Sequence, residues 1–312
     1  MKPSIIITSR GHAPTMATLQ SEFDAHFLSE ARDREAFLRE HAPKVRGIAS
    51  VAPVPVDGKL MDALPKLEII SNFGVGVDQI NLGDAKERGI IVTNTPDVLN
   101  DCVADTALAL VLNTVRKFPQ SERYLRAGNW AARGPYPLAT SVGGKTLGIL
   151  GLGRIGEVIA KRAIACGMKI RYHNRNRKDV DYPYDADPAT LASNSDVLMV
   201  VTPATAQTSR IINAAVLDAL GPEGYLVNIA RGSVVDEPVL LRYLQEGLIA
   251  GAGLDVFADE PRVPPEFFTL DNAVLFPHVG SATAETRRAM GELQIENLRR
   301  HFAGKPVVSR VV

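Results

Sequence analysis

The sequence predicts an α/β protein built on parallel sheets, and three observations carry that prediction. Short runs of branched aliphatic residues alternate with segments of helical periodicity along most of the 312 residues. A glycine-rich turn, Gly151-Leu152-Gly153-Arg154-Ile155-Gly156, follows one such run and opens a helical segment. Arg231, Glu260 and His278 stand at, or just past, the ends of apolar runs in the second half of the chain. If those runs are parallel strands, all three side chains emerge at the carboxyl edge of one sheet, where open α/β folds bind their ligands.

The length corresponds to about two domains. An apolar content of 46% with 22% charged residues is ordinary for a soluble globular chain. Thirty-five Lys and Arg balance 35 Asp and Glu, which argues against nucleic acid or an anionic membrane as partner and for a small metabolite. The opening apolar run, Ile5-Ile6-Ile7, is too short for a signal peptide, and no stretch reaches the ~18 apolar residues of a membrane helix. Cys102 and Cys166 are isolated in helix-like apolar surroundings and read as reduced, buried small hydrophobes of a cytoplasmic protein. The six histidines show no metal-ligand spacing, and no metal is assigned.

Taken in order, strands are expected over 5–8, 48–51, 67–71 and 90–93, with helical segments at 29–40 and 81–88. Residues 101–118 are hydrophobic nearly all round and predict a buried helix, covered either by its own domain or by a second subunit. Residues 126–143 are rich in Gly and Pro, hold the single Trp130, and read as a loop or arm. A second series of strands follows near 146–150, 168–172, 197–201, 225–230, 252–257 and 273–276. Asp236 is placed to cap a helix over 237–246, with Pro238 in its first turn and Gly247 past its end. A last helix near 283–302 precedes a short tail; if both return to the first series, that domain is discontinuous.

The glycine turn has the frame that gives G-x-G-x-x-G its meaning, a strand before and a helix after. Gly151 permits the tight turn, Gly153 lets a pyrophosphate approach the backbone, and Gly156 allows close helix–sheet packing. The next strand decides which dinucleotide binds. An acid about 20 residues on would take the ribose 2′-hydroxyl of NAD. Here that strand ends in His173-Asn174-Arg175-Asn176-Arg177-Lys178. With Asn174 in place of an acid and two guanidinium groups following, the prediction is NADP(H) as preferred cofactor, with NAD(H) as the alternative.

The order of motifs is itself specific. Phe73-Gly74-Val75-Gly76-Val77-Asp78, the glycine turn, Val201-Thr202-Pro203 and Asn228-Ile229-Ala230-Arg231-Gly232 come first. Gly253-Leu254-Asp255-Val256-Phe257, Asp259-Glu260-Pro261 and Pro277-His278-Val279-Gly280-Ser281-Ala282-Thr283 complete the set. Together they closely resemble the D-isomer-specific 2-hydroxyacid dehydrogenases, and within them the NADPH-preferring glyoxylate/hydroxypyruvate and hydroxyphenylpyruvate reductases.

The resemblance implies a Rossmann-type doubly wound sheet over 100–282, inserted in a smaller flavodoxin-like α/β substrate domain made of 1–99 and 283–312. It implies reduction of a small 2-oxo acid, glyoxylate or hydroxypyruvate, to the 2-hydroxy acid by hydride transfer. Arg231 would hold the substrate carboxylate with the amides of Val75 and Gly76, His278 would act as general acid, and Glu260 would orient His278. Asp255 would lie near the nicotinamide carboxamide. Cofactor contacts are implied at Thr106, Gly151, Leu152, Gly153, Arg154, Ile155, Gly156, Asn174, Arg175, Asn176, Arg177, Thr202, Pro203, Thr208, Ile229, Ala230, Arg231, Asp255, His278 and Gly280. The family is dimeric, and Trp130 is a candidate for reaching a partner's substrate pocket. Alternatives of the same scaffold are an arylpyruvate reductase, a phosphite dehydrogenase relative, and a non-catalytic dinucleotide-sensing protein like the C-terminal-binding corepressors. Glu260 argues against formate dehydrogenases, which carry Gln there, and the chain has no room for the regulatory domain common in phosphoglycerate dehydrogenases.

Overall fold

Ser4-Ile5-Ile6-Ile7 is buried along its whole length, as a strand covered on both faces must be, and it forms β1 (Ser4–Ile7). The structure, a computed structural model, describes residues 2–312. The chain divides into two compact units: residues up to Leu99 together with Thr283–Val312, and Asn100–Ala282.

In the first unit β1 is followed by α1 (Ala13–Glu22), β2 (Asp24–Phe27), α2 (Arg34–His41), β3 (Val45–Ser50), α3 (Gly58–Asp62), β4 (Ile69–Asn72), α4 (Leu82–Glu87) and β5 (Ile91–Thr93). The strands form one parallel sheet in the order β2-β1-β3-β4-β5. The chain leaves β1 in one direction for β2 and returns past it to β3, so the sheet has a switch point between β1 and β3.

In the second unit come α5 (Asn100–Arg116), α6 (Phe118–Arg126), α7 (Asn129–Arg133), β6 (Thr146–Leu150), α8 (Arg154–Ala165), β7 (Lys169–His173), α9 (Pro188–Ser193) and β8 (Val197–Val200). Then follow α10 (Ala214–Leu220), β9 (Tyr225–Asn228), α11 (Glu237–Gln245), β10 (Gly251–Leu254) and β11 (Ala273–Leu275). Its six strands are parallel in the order β11-β10-β9-β8-β6-β7, with the switch point between β6 and β8. This is the doubly wound arrangement the sequence predicts.

The chain then returns to the first unit through α12 (Ala284–Phe302). Ile295 and Leu298 join a core with Ile5, Ile7, Leu19 and Ile69. Gln294, fully buried, donates to the carbonyls of Ser50 (3.1 Å) and Ser71 (2.9 Å), while Ser71 Oγ donates to its carbonyl (3.0 Å). The tail then pairs antiparallel with β5: Val311 N donates to Val92 O (2.7 Å), and Val92 N donates to Val312 O (3.3 Å). An edge strand that would otherwise offer open backbone groups is thereby closed.

Several expectations need correction. The sequence reading misses α1, α3 and β2; Asp24-Ala25-His26-Phe27 is only half-buried, too mixed in polarity to read as a strand. The 101–118 segment is apolar nearly all round, but only one side of it is buried. Val103, Ala104, Ala107, Leu110, Val111, Thr114 and Val115 form its buried stripe, at helical spacing. That stripe lies on the sheet: a Cβ on Gly253 of β10 would come within 2.5 Å of Thr114 Oγ1 and 3.3 Å of Leu110. The 126–143 arm contains α7, with Trp130 exposed on it. Asp236 occupies the cap position of α11, but its side chain makes no capping hydrogen bond. Cys102 and Cys166 form no disulfide and are only half-buried.

Candidate active site

Two constellations stand at the carboxyl edge of the second sheet. The first is the glycine turn. Gly151 has φ of 105°, open to few residues other than glycine, and a Cβ there would meet Thr202 N at 2.7 Å. That contact joins the ends of β6 and β8, at the switch point. A Cβ on Gly156 would stand 2.6 Å from Gly151 O, so the turn and the first turn of α8 pack backbone to backbone. Gly153 is different: nothing lies within 4 Å of where its Cβ would be. It occupies the N-cap position of α8, a 12-residue helix whose first amides have no partner inside the helix. Open space beside a helix N-terminus fits a dinucleotide pyrophosphate.

Two residues tie the turn to the neighbouring strand. Leu152 is fully buried and its amide donates to Asn174 Oδ1 (2.7 Å); Asn174 Nδ2 donates back to Leu152 O (3.2 Å). Together they lock the turn to the end of β7. Beyond them Arg175, Asn176 and Arg177 are exposed, and among the described residues neither arginine enters an ion pair. Glu157, next to the turn, is paired with Lys178. Thr208 Oγ1 is spent within its own loop, donating to Pro203 O (2.6 Å) and accepting from Thr205 N (2.8 Å). Thr106 Oγ1 donates to Cys102 O (3.2 Å) and lies 3.5 Å from Gly280 O.

The second constellation grows from β9, β10 and β11, which are neighbours. After β9, Asn228 braces the turn: Oδ1 accepts from Ala230 N and Nδ2 donates to Arg231 O, both at 3.0 Å. Gly232 then presses on the next loop so closely that a Cβ would fall 1.9 Å from the Phe257 carbonyl carbon. Phe257 N in turn donates to Glu260 Oε1 (3.0 Å), and Glu260 Oε2 meets His278 Nδ1 at 2.6 Å. Arg231, Glu260 and His278 are thus linked through one chain of contacts.

His278 itself has φ of 51°, a left-handed backbone rare for a non-glycine residue. Asp255 holds it there. The Asp255 carbonyl accepts from His278 N (2.8 Å), and its carboxylate accepts from Val279 N (2.7 Å) and Gly280 N (2.8 Å). The side chain is buried, which pushes its carboxyl up; the two amides partly offset this. Asp255 is therefore a clamp on the histidine loop.

Burial also acts to raise Glu260, but the His278 hydrogen bond, the Phe257 amide and the charges of His278 and Arg231 outweigh it. The net effect holds the carboxyl below its ordinary value. Glu260 is then an acceptor only, so the proton between the two groups sits on His278 Nδ1. Nε2 is the ring nitrogen left for chemistry.

In the first unit, Val75 and Gly76 lie in a turn after β4 that is also tied down. Asn72, buried, donates to Gly74 O (3.1 Å) and Gly76 O (2.9 Å), while Asn94 donates to Val75 O (2.9 Å). Because a trans peptide points its C=O and N–H in opposite directions, tying these carbonyls inward turns the amides of Val75, Gly76 and Val77 outward. Such a row of amides suits an anion. Asn72 and Asn94 are not singled out by the sequence; an Asn two residues before a Gly-x-Gly turn is the signal that could have found Asn72.

Comparison with known proteins gives a consistent result. A sequence model described as D-isomer specific 2-hydroxyacid dehydrogenase, NAD binding domain, matches residues 108–280. The chain is 46% identical over 305 residues to a hydroxyphenylpyruvate reductase of Plectranthus scutellarioides, covering 96% of this chain and 97% of that protein. It is likewise 46% identical over 304 residues to glyoxylate/hydroxypyruvate reductase A of Arabidopsis thaliana, with the same coverage. Among solved structures, an NADPH-dependent glyoxylate/hydroxypyruvate reductase from Sinorhizobium meliloti in complex with NADP and malonate superposes with a TM-score of 0.94. It is 43% identical and covers 100% of this chain and 97% of that one.

The Glu260 shift has a testable sign. A carboxyl lowered in the folded state adds stability that is fully present above its unfolded value, near 4.5, and is lost as pH falls through the lower folded value. The stability advantage of the unsubstituted protein over Glu260→Gln should therefore be constant above that pH and shrink below it. Urea unfolding across an acid series measures this; an advantage that grows on acidification contradicts the assignment.

Proposed function

Since the chain belongs to the D-isomer specific 2-hydroxyacid dehydrogenase family, we propose that it is an NADPH-dependent reductase of small 2-oxo acids, glyoxylate and hydroxypyruvate foremost. The observation that carries the proposal is the 2.6 Å Glu260–His278 pair, linked to Arg231 on the same sheet edge as an open glycine turn. A nicotinamide dinucleotide bound at that turn would supply the hydride for the ketone carbon. The amides at Gly153, Arg154 and Ile155 would hold its phosphates, and Arg175 and Arg177 would take the 2′-phosphate.

His278 gives the Nε2 proton to the ketone oxygen as the carbon is reduced, and takes it back in the reverse direction. Glu260 keeps the ring oriented and sets a negative charge against the one the imidazolium carries. Arg231, with a planar fork matched to a carboxylate, holds the substrate's acid group and the neighbouring oxygen. The Val75 and Gly76 amides are assigned to the same carboxylate. Arylpyruvate reduction is the second reading, favoured by the identity to the hydroxyphenylpyruvate reductase. Cytoplasmic residence fits two cysteines that form no disulfide, and cell fractionation checks it.

A homodimer is part of the same proposal. Phe118, Leu125, Trp130 and Leu138 are 43%, 55%, 63% and 99% exposed, an unusual grouping of large apolar side chains on α6, α7 and the following arm. Trp130 is the residue proposed to reach the partner's substrate.

His278→Gln should lower kcat by about 10²- to 10⁴-fold, the scale of general acid catalysis, while NADPH affinity changes little. NADPH consumption against a panel of 2-oxo acids, paired with fluorescence titration of NADPH, reads both. Unchanged turnover at saturating substrate rejects the role, and no turnover of any panel member by the unsubstituted protein rejects the activity. The cofactor assignment predicts a higher kcat/KM with NADPH than NADH, and loss of that preference in the double variant Arg175→Ala, Arg177→Ala; an initial preference for NADH overturns it. Sedimentation should give twice the chain mass, shifting toward the monomer in Leu125→Asp; a monomer at micromolar concentration rejects the dimer.

A further inference from the structure

The segment after β7 carries Arg175 and Arg177, and it has no main-chain support of its own. Among the described residues, no backbone-to-backbone hydrogen bond begins or ends within 174–178. Two tyrosine hydroxyls hold it instead. Tyr184 Oη donates to Asn174 O (3.1 Å) at one end. At the other end Tyr172 Oη accepts from Lys178 N (2.9 Å) and donates to Lys178 O (3.0 Å), so one hydroxyl satisfies both main-chain groups of that residue. Arg175, Asn176 and Arg177, between the two ties, are exposed.

The tyrosines are themselves fixed. Tyr172 lies on β7 and is fully buried. Residues 183–185 fold back along it: Tyr172 N donates to Pro183 O (3.0 Å), and Asp185 N donates to Tyr172 O (2.9 Å). The two tyrosine rings meet edge to face with centres 5.4 Å apart. Asp185, buried, anchors the return by accepting from Arg171 through two bonds (2.9 and 2.7 Å) and from Asn194 Nδ2 (3.0 Å). The Lys178 side chain is turned to Glu157, in the first turn of α8. That pair offsets a carboxylate that would otherwise repel a phosphate at the helix N-terminus. Packing alone does not call for the Tyr172 hydroxyl, since a phenylalanine ring would fill the same space. What the hydroxyl adds is the shape of the loop.

We propose that Tyr172 is a positioning residue for cofactor choice: its hydroxyl holds 174–178 in the shape that brings Arg175 and Arg177 to one 2′-phosphate before any cofactor arrives. The inference rests on the reading that this chain uses NADPH. A loop already ordered loses less conformational freedom on binding, so the same two guanidinium groups hold the phosphate more tightly. On a free loop each arginine would still attract an anion, but the two planar forks would have to be brought together at every binding event. Tyr172 does not touch the ligand. It acts through the main chain of Lys178, and therefore only on the part of the affinity that belongs to the 2′-phosphate. The part that belongs to the adenosine and its 5′-phosphates rests on the glycine turn and α8, and is left alone.

Calorimetric titration with 2′,5′-ADP and with 5′-ADP reads the contribution of the 2′-phosphate without a nicotinamide and without turnover. The unsubstituted protein should bind 2′,5′-ADP about tenfold or more tightly than 5′-ADP, the scale of one charge-assisted hydrogen bond. Tyr172→Phe should cut that ratio by about three- to tenfold, the scale of a neutral hydrogen bond, with the 5′-ADP affinity little changed. In the Arg175→Ala, Arg177→Ala background the same substitution should lower the ratio no further, because the loop then has nothing to present. A tyrosine that only supports the core would weaken both nucleotides together, or lower Tm with the ratio intact. Either result overturns the inference, as does a ratio that falls equally in the background without the arginines. Should Tyr172→Phe fail to fold, Tyr184→Phe, which releases the Asn174 end, must lower the ratio, and an unmoved ratio there overturns the inference too. The two levels separate cleanly. If the unsubstituted protein binds the two nucleotides equally, the NADPH reading falls and this inference with it; if it discriminates and Tyr172→Phe keeps the full ratio, this inference alone falls.

Discussion

One buried carboxylate sets the geometry on which the acid–imidazole pair depends. Asp255 ties the end of β10 to the loop after β11 by accepting three hydrogen bonds, two at its carboxylate and one at its own carbonyl. Without them His278 would relax out of its left-handed conformation, which costs roughly 1–2 kcal/mol for an L-residue. Hydrogen bonds to a charged group contribute about 1.5–3 kcal/mol each, so the clamp outweighs the strain. With the backbone fixed, the ring has one direction to point, and Glu260 meets it there.

Around this clamp the site is assembled by close approach of backbone rather than by long side chains. At Gly151, Gly156 and Gly232 a single methyl group would collide with main-chain atoms of another segment. These contacts bring the ends of β6 and β8, and of β9 and β10, nearer than ordinary side chains permit. The charged groups can then be short-range partners in a place where a misplacement of one ångström would separate them.

Much of this was legible in the sequence because it is local. Alternating apolar runs predicted both sheets, and the strand–turn–helix frame gave meaning to Gly151, Gly153 and Gly156. What was not legible depends on partners far along the chain. The role of Asp255 as a clamp stays hidden until Val279 and Gly280 are seen to donate to it, 24 and 25 residues on. Asn174 reads as the position where an acid is missing, and its bond to the Leu152 amide, 22 residues back, shows only in the fold. The apolar stripe of α5 looked continuous because Leu108, Ala109 and Leu112 are hydrophobic too; only the sheet beneath it shows which side is covered. β2 carried no signal, because a half-buried edge strand needs no strong pattern.

The first unit takes its last helix from beyond the second. Gln294 bridges Ser50 and Ser71, and residues 310–312 pair with β5, so the early strands lack both a core face and an edge partner until the end of the chain arrives. On a ribosome, residues 100–282 emerge complete while the segment before them is still unfinished. The unit made first is therefore the one that matures second, and it must stay unaggregated with an open β5 edge throughout the synthesis of its neighbour.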